Sequence, residues 1–523
     1  MAEEHLGLTQ LGDDLLGTAV LLGHDCVLQI AGQLLSEPGI PLVQGTLRHS
    51  RHLFRVLARR CGSDVEADDE ILSFYREGYP EPLTPLQVSE RAMKLLAIIG
   101  AVGMAVFTAV SIAFAPEWVY RTVVYLGSFN ISTFDLLFFL AFALLLADNA
   151  VRIRPERVPA NRLVLGLCWA YVAYQLLVVL PAAVLLHGLR VTDVFRLQEV
   201  RLSLILIPVT YSLVLRYLKP PVLIAIVDAA AAGLAVWILY RYITHPEQGY
   251  VESGVFRLRA AWTGAVLLFG WLFLTSLFYW PMRGWRLALA ILALAGLGVA
   301  NYRSGLLAFM ASFVAVLVTM RGISRRALIA LAIVVVMGFG VMLGASNVRK
   351  SIDYSLATML NSSSDQTAQD RVTRSLLGFQ YFEQHLLGDY VWNRAYYLVN
   401  LGWDFVPHNF VVQLLVTQGA IASALYFAII GATFFIAWRN RRDRLSSLML
   451  AYLVFYLTFC LFNPNIDNRE NVSLFFICVA LVLHENRERS LLEEPAMLRG
   501  EDNAEPIAGD AAVAGLAEDA RSA

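Results

Sequence analysis

Long apolar runs, separated by short polar or basic segments, follow one another along most of the chain. A helix rises about 1.5 Å per residue, so about 20 apolar residues cross the roughly 30 Å hydrocarbon layer of a membrane. The pattern predicts an all-α, polytopic membrane protein with about twelve transmembrane helices. The predicted spans are residues 93–115, 132–150, 163–186, 202–218, 221–243, 260–280, 285–300, 304–320, 326–344, 409–437, 444–462 and 472–485.

The composition agrees with this pattern. Of the 523 residues, 58% are hydrophobic and 16% are charged, and the charged residues fall between the apolar runs. Soluble domains are about half apolar and lack repeated runs of this kind. The composition therefore excludes a soluble protein. The five cysteines show no metal-ligand spacing, and no metal site is predicted.

Three regions are predicted along the chain. Residues 1–90 are mixed: the apolar stretch 15–35 contains a His-Asp pair, and the basic cluster 48–60 follows it. We expect this region to be cytoplasmic or interfacial, and its acidic start does not predict a cleavable signal peptide. Residues 91–486 form the predicted transmembrane domain. Residues 487–523 are acidic and Ala-rich, which predicts a disordered cytoplasmic tail.

The distribution of Lys and Arg predicts the orientation in the membrane. With the N-terminus in the cytoplasm, the inner loops are "RIRPERVPANR", "RYLKPP", "PMRGWR", "RGISRR" and "WRNRRDR", all short and basic. Cytoplasmic loops of membrane proteins carry this excess of positive charge. Both termini are therefore expected in the cytoplasm, and residues 345–407 form one long outer, periplasmic loop.

Several arginines nevertheless fall on the predicted outer side. They include Arg257, Arg259, Arg303, Arg371 and Arg374. One interpretation is that they pair with carboxylates such as Asp193, Glu199 or Asp389, or extend towards lipid headgroups. Arg303 differs from the others, because it lies in a tight turn between two apolar runs with no acidic residue near it in sequence. An unpaired charge at membrane depth is costly, which favours a functional role for Arg303.

A group of outward guanidinium groups is suited to phosphate, because Arg forms planar, two-pronged hydrogen bonds and keeps its charge. The N-terminus of the helix that begins after His408 would add positive dipole on the same side. The predicted ligand is a lipid-linked pyrophosphate at the outer leaflet. His408 then has two interpretations: a base that accepts a proton from an acceptor hydroxyl, or a capping, interfacial histidine.

Three motifs in order resemble those of the O-antigen ligase and O-antigen polymerase superfamily of bacterial envelope glycosyltransferases. They are "NYRSGLLAFMASFVAVL", "RVTRSLLGFQYFEQHLLGDY" and "PHNFVVQLLVTQGAIASALYF". They lie between residues 301 and 430, about a quarter of the chain. The chain departs from the family pattern where "HLLGDY" lacks the usual Pro and where Gln418 replaces a frequent acidic residue. It also lacks the Asn-Pro pattern that often follows the earlier outer arginine.

The resemblance implies a GT-C-like fold and a metal-independent transfer of glycan from undecaprenyl pyrophosphate, with no cofactor. It places the essential histidine at His408 and the turn arginine at Arg303. The loop arginine corresponds to Arg371 or Arg374, and the earlier outer arginine to Arg257 or Arg259. All of these arginines are expected to bind the pyrophosphate.

The leading function is a polymerase that joins lipid-linked repeat units by transfer to an acceptor glycan. A ligase that moves a finished glycan to lipid A–core or to protein is the close alternative. A transporter or flippase is a third reading, because Asp228 is a carboxylate inside an apolar run, although it also suits helix packing. The expected location is the bacterial inner membrane. The expected partners are the lipid-linked oligosaccharide, the acceptor glycan, the bilayer and other polysaccharide-assembly proteins, and not nucleic acid.

Overall fold

The computed structural model describes residues 85–114, 122–126, 129–132, 156–187, 214–244, 249–252, 255–258, 263–281, 283–300, 302–319, 366–389, 409–463 and 469–501, with a few single positions between them. The chain divides into two compact units, Met1–Leu96 and Ala97–Ala523. Of the first unit, only residues 85–96 are described, and their backbone is helical. The account below concerns the second unit.

Helices make up nearly all of the described chain. They are α1 (Pro85–Phe114), α2 (Pro159–Tyr174), α3 (Leu180–His187), α4 (Leu215–Tyr217), α5 (Pro220–Thr244), α6 (Thr263–Leu274), α7 (Gly284–Ala300), α8 (Arg303–Thr319), α9 (Gln366–Gln384), α10 (Phe410–Arg439), α11 (Arg444–Phe462) and α12 (Arg469–Glu501). Several begin where the sequence signals a start: Pro159 and Pro220 open α2 and α5, where a missing N–H costs nothing. The prediction of a helical protein is confirmed.

Five helical segments are long and apolar enough to cross a membrane, which supports the prediction of a membrane protein. They are Lys94–Ser111, Pro159–Leu186, Pro220–Thr244, Phe410–Arg439 and Arg444–Phe462. Shorter apolar helices cover Thr263–Tyr279, Gly284–Ala300 and Ser304–Thr319. The greater parts of three predicted spans, 132–150, 202–218 and 326–344, lie outside the described residues.

Helix α11 lies at the centre of the bundle. Of its most apolar stretch, 72% is buried, against 33–44% for the other four candidate spans. It packs against α6, α8, α10 and α12. Trp271 of α6 meets Tyr452 of α11 edge to face, with ring centroids 4.9 Å apart. Gly270 lies so close to Phe455 that a Cβ there would overlap the ring, so this glycine lets the two helices approach.

Two π-helical turns interrupt the apolar helices. The first, π1 (Gln175–Val179), joins α2 to α3, and the second, π2 (Thr275–Tyr279), follows α6. Each begins at a buried polar residue, Gln175 at 1% exposure and Thr275 at 1%. Single π turns inside α-helices often occur at functional sites.

Two short antiparallel hairpins connect some of the helices. One pairs β1 (Thr122–Leu126) with β2 (Phe129–Ser132), and the other pairs β3 (Gly249–Glu252) with β4 (Val255–Leu258). Both hairpins lie in loops that the sequence analysis assigned to the outer side. They add a small amount of strand to the predicted all-α architecture.

Asparagine side chains join three helices at one end of the bundle. Asn440, in the turn after α10, donates to Asn486 of α12 at 2.8 Å, and Asn486 donates to Asn161 of α2 at 2.8 Å. Asn161 in turn donates to the Leu483 carbonyl oxygen at 2.8 Å. All three asparagines are buried, so each amide replaces the hydrogen bonds that water would provide.

The last helix is longer than its predicted span. α12 continues to Glu501, so the backbone is helical over the first part of residues 487–523, where the sequence predicted disorder. The segment "RERSLLEE" explains the extension, because Arg, Leu and Glu are good helix formers. Arg489 also holds the helix, because its guanidinium lies 3.2 Å from the Asp443 carboxylate. Residues 502–523 lie outside the described residues.

Candidate site at one end of the helical bundle

The start of α8 and the break in α10 lie at the same end of the bundle. The part of α10 from Ala420 to Arg439 is about as long as the 19-residue α11, and a short turn at Asn440–Asp443 joins them, so α11 ends beside Gly419. Asn463, which follows α11, donates from its amide to the Ser304 hydroxyl of α8 at 2.5 Å. Arg303 and Gly419 therefore belong to one end, which we call the site end. The buried asparagines lie at the opposite end.

The Tyr-Arg-Ser-Gly turn is held on both sides of Arg303. The Tyr302 carbonyl accepts hydrogen bonds from the Gly305 and Leu306 amides at 2.9 and 3.2 Å, which forms the first turn of α8. Ser304 is fixed by Asn463. A Cβ on Gly305 would lie 2.9 Å from the Val266 side chain of α6, so glycine allows this close packing. The backbone of Arg303 is thereby fixed, while its side chain lies outside the described part.

The earlier arginines belong to the connection between α5 and α6. Arg257 lies on β4, where it pairs with Tyr250 of β3. The hairpin precedes the start of α6, and Val266 near that start contacts Gly305, so Arg257 also belongs to the site end. Arg259 lies outside the described residues.

Arg371 and Arg374 lie on the packed face of α9. Together with Gly378 and Tyr381 they are spaced by three or four residues, which places them on one side of the helix. Gly378 is buried, and the Arg374 side chain is 27% exposed. The Tyr381 hydroxyl donates to the buried Asp389 carboxylate at 2.8 Å, which ties this face to the turn that follows α9.

The opposite face of α9 is apolar and exposed. Val372, Leu376 and Phe379 are 61%, 59% and 45% exposed. A helix on the surface of a soluble protein has the reverse arrangement, with apolar residues inward and charges outward. The described interactions of Arg374 include an ion pair with Asp370 at 3.9 Å, and the Asp370 side chain is 54% exposed. A pair of this length and exposure contributes little to stability.

The turn after α9 packs into a break in α10. Gly419 has φ 76° and ψ −179°, which interrupts the α-helical backbone. Across the break, the Ala420 amide donates to the Leu386 carbonyl at 2.9 Å, and the Asp389 amide donates to the Val416 carbonyl at 3.0 Å. Two backbone hydrogen bonds therefore link the turn to α10. The sequence "HLLGDY" and Gly419 of the third motif form one structural unit.

A buried polar cluster lies beside this break. Gln418 is fully buried, and its side-chain oxygen accepts from the Tyr171 hydroxyl at 2.9 Å and from the Gln175 amide at 2.8 Å. Gln175 begins π1, so a π turn and a helix break face each other. Within the described residues, the Gln418 Nε2 and Gln175 Oε1 atoms have no hydrogen-bond partner. A neutral amide at position 418 bonds both neighbours without burying a charge.

Asn409 is the N-cap of α10. Its side-chain oxygen accepts from the Val411 amide at 2.9 Å and from the Val412 amide at 3.4 Å. The cap occupies these two amides, so they are not free to bind a phosphate. Because the rings of Phe410 and Phe427 lie 6.1 Å apart, the first segment of α10 turns back from Gly419 towards the rest of the helix. The dipole at Asn409 was expected to add positive charge beside the outer arginines, and this bend does not direct it to the site end. His408 precedes the cap and lies outside the described residues.

Asp228 is used in helix packing near the opposite end. Its carboxylate accepts from the Thr275 hydroxyl at 2.6 Å and from the Trp280 ring N–H at 2.7 Å. Arg286 lies 3.3 Å away and its guanidinium stacks on the rings of Trp280 and Trp285, 4.6 and 3.7 Å from their centroids. The helix-packing interpretation of Asp228 is confirmed.

No protein-family model matches the chain, and no curated protein matches it. The family resemblance therefore rests on the three motifs and their order. Across the segments that the structure describes, no group of three His, Cys, Asp or Glu side chains is placed to hold a metal ion. Cys168, Cys460 and Cys478 are buried free thiols, as expected for small core residues.

Sequence reasoning missed two features of this end of the protein. The capping role of Asn409 had a visible signal, because Asn directly before an apolar run is a common helix start. The Tyr171–Gln175–Gln418 cluster had a weaker signal, namely single polar residues within two apolar runs that are 243 residues apart. A pairing over this distance is not encoded in local periodicity.

Proposed function

We propose that the protein is a glycosyltransferase that polymerises lipid-linked glycan at the outer face of the bacterial inner membrane. It would transfer glycan from undecaprenyl pyrophosphate to a hydroxyl of an acceptor glycan. The proposal includes a GT-C-like arrangement of about twelve spans, with both termini in the cytoplasm. Transfer to lipid A–core or to protein is the alternative for the same residues.

The observation that carries the proposal is the orientation of α9. Arg371 and Arg374 lie on its packed side, and the turn that follows α9 is bonded into α10 on both sides of Gly419. Arg303 and Arg257 belong to the same end of the bundle. Arginines that belong to one end of the bundle suit an anion with several oxygens, such as a pyrophosphate.

In the proposed reaction the arginines hold the pyrophosphate and stabilise the charge that develops on it. His408 accepts the proton of the acceptor hydroxyl, and the acceptor oxygen attacks the anomeric carbon of the donor. The bond between that carbon and the pyrophosphate oxygen breaks, and undecaprenyl pyrophosphate leaves. The guanidinium groups supply the positive charge at the leaving group.

Purified protein in lipid nanodiscs, supplied with a lipid-linked repeat unit, tests the proposal. A ladder of products without added acceptor identifies a polymerase, whereas a single shift that requires an acceptor identifies a ligase. Arg371→Gln and Arg374→Gln should each reduce turnover. The matched control is Arg439→Gln, because Arg439 is an exposed arginine at the far end of α10. Absence of any glycan transfer by the folded protein would overturn the proposal.

A further inference from the structure

The apolar face of α9 needs an explanation that its sequence does not provide. α9 carries Asp370, Arg371, Arg374 and Glu383, and it is not among the candidate membrane spans. It nevertheless exposes Val372, Leu376 and Phe379, and the turn that follows exposes Leu386 and Leu387 at 58% and 57%. Large side chains that are exposed together in this way mark a contact surface.

The position of the turn gives its depth in the membrane. α10 is not one straight helix, because the rings of Phe410 and Phe427 lie 6.1 Å apart although 17 residues separate them. The helix turns back at Gly419, and the part from Ala420 to Arg439 has 20 residues. This part is about 30 Å long, which matches the roughly 30 Å hydrocarbon layer, so Gly419 lies near the boundary of that layer. Leu386 and Leu387 lie beside it, because the Leu386 carbonyl bonds Ala420 and the Leu387 carbonyl borders Gly419.

The backbone of the turn is suited to this depth. Non-helical backbone at the edge of the hydrocarbon layer is stabilised when its polar groups find partners within the protein. The His385 amide donates to Tyr381, the Gly388 amide to His385, and the Asp389 amide to Val416, at 3.1, 2.8 and 3.0 Å. The turn therefore presents leucine side chains outward while these amides bond inward.

The exposed surface is continuous with a lipid-facing part of α10. Ile421, directly after the Ala420 that bonds Leu386, is 49% exposed and belongs to a candidate span. Leu386 and Leu387 extend this surface towards α9. An exposed apolar surface that continues from a membrane span fits the acyl chains of the same leaflet.

We infer that α9 and its turn form an interfacial element, with Val372, Leu376, Phe379, Leu386 and Leu387 in contact with the acyl chains of the leaflet at the site end. The arginines on the other face of α9 then lie at headgroup level, directed to the protein. The inference rests on the membrane spans and not on the proposed reaction. Glu383 lies between the two parts of this surface and is exposed, so its carboxylate opposes deep insertion.

Site-specific fluorescence in liposomes tests the inference. Cys26 and Cys61 are replaced by Ser, and single cysteines at Leu376, Phe379 and Leu387 carry an environment-sensitive nitrobenzoxadiazole label. Thr373→Cys and Gln380→Cys are matched controls, because both are exposed polar residues of α9 and neither belongs to the apolar surface. The liposomes contain phosphatidylethanolamine and phosphatidylglycerol with a lipid that bears a doxyl quencher near the start of its acyl chain. Nickel in the buffer serves as the aqueous quencher.

The labels at Leu376, Phe379 and Leu387 should be quenched by the doxyl lipid at least twofold more than the controls and should be protected from nickel. Glu383→Gln should increase the lipid quenching of the neighbouring Phe379 label. Equal quenching at Phe379 and Gln380 would overturn the inference. Protection from both quenchers that depends on protein density would also overturn it, because another protein molecule would then cover the surface.

Discussion

Gly388 and Gly419 meet backbone to backbone, and both have left-handed φ angles, 77° and 76°. A Cβ on Gly388 would overlap the Gly419 nitrogen, and a Cβ on Gly419 would overlap the Leu387 carbonyl. The turn after α9 can enter the break in α10 only because neither residue has a side chain. This contact joins the segment that carries Arg371 and Arg374 to the middle part of α10.

Replacement of Gly419 by Ala should therefore lower both thermal stability and turnover. A left-handed φ costs a residue with a Cβ about 1–2 kcal/mol, and the overlap with Leu387 adds to this. Gly431→Ala is the control in the same helix, since nothing lies within 4 Å of its would-be Cβ, and it should be neutral or slightly stabilising. Equal melting temperatures for the two variants would contradict the account of the break.

The pair of Asp228 and Arg286 predicts a characteristic result with single and double variants. Arg286→Met leaves the buried carboxylate without its cation, and breaking a buried pair in this way costs about 3–5 kcal/mol. The double variant Asp228→Asn with Arg286→Met removes the stranded charge and should recover part of the lost thermal stability. Arg283→Met is the control, because Arg283 is exposed and lies three residues before Arg286. A double variant that is less stable than Arg286→Met would show that the two residues do not act together.

Arg303 should not be replaceable by Lys. Arg303→Ala should abolish most glycan transfer, and Arg303→Lys should fail to restore it, because an ammonium group keeps the charge but not the two-pronged hydrogen bonding. The measurement is turnover with a lipid-linked donor, alongside the melting temperature of each variant. Near-normal transfer by the Lys variant would mean that charge alone is sufficient at this position.

His408→Ala should lower turnover by about 10²–10⁴-fold, the usual effect of losing a general base. His408→Gln should not restore turnover, because an amide forms hydrogen bonds but does not take up a proton at neutral pH. Asn409→Ser is the neighbouring control: Ser is also a good N-cap, so this variant should keep the start of α10 and most of the activity. Full turnover in the Gln variant would make His408 a positioning residue.

The orientation of the bundle is testable by labelling in cells. A cysteine at Gln380 of α9 should react with a membrane-impermeant maleimide from outside, and a cysteine at Arg442 should not. Both residues are exposed, whereas Ser446 nearby is fully buried and would be unreactive on either side. The opposite labelling pattern would invert the topology and place the arginines of α9 in the cytoplasm.

The helices were predictable because their signal is local. α11 occupies residues 444–462, as the apolar run between two polar segments predicts, and α7 and α8 begin within a residue of their predicted spans. The burial of Arg286 was harder to predict, because this residue belongs to the predicted basic loop "PMRGWR". It instead lies inside α7 and pairs with a carboxylate 58 residues earlier in the chain. No local pattern distinguishes a loop cation from a buried one.

The same limit applies to the candidate site. The sequence indicated which arginines to consider and placed them on one side of α9. Whether that side faces the protein depends on where the following turn is bonded, which the sequence does not show. Leu386 and Ala420 are 34 positions apart and are joined by a backbone hydrogen bond, which carries no residue-specific signal. The motif glycines were visible in the sequence, and their contact with each other was not.

The hydrogen bonds of Asn161 have a consequence for biogenesis. Their partners, Leu483 and Asn486, are 322 and 325 residues further along the chain. At a translation rate of about 5–20 residues per second, α2 is made about 15–60 s before those partners exist. During that interval the insertion machinery, a lipid headgroup or water must satisfy the Asn161 amide. A ribosome that stops before α12 would release a chain in which α2 can pack against α10 but the buried Asn161 lacks its partners. We expect membrane quality-control proteases to degrade such a chain.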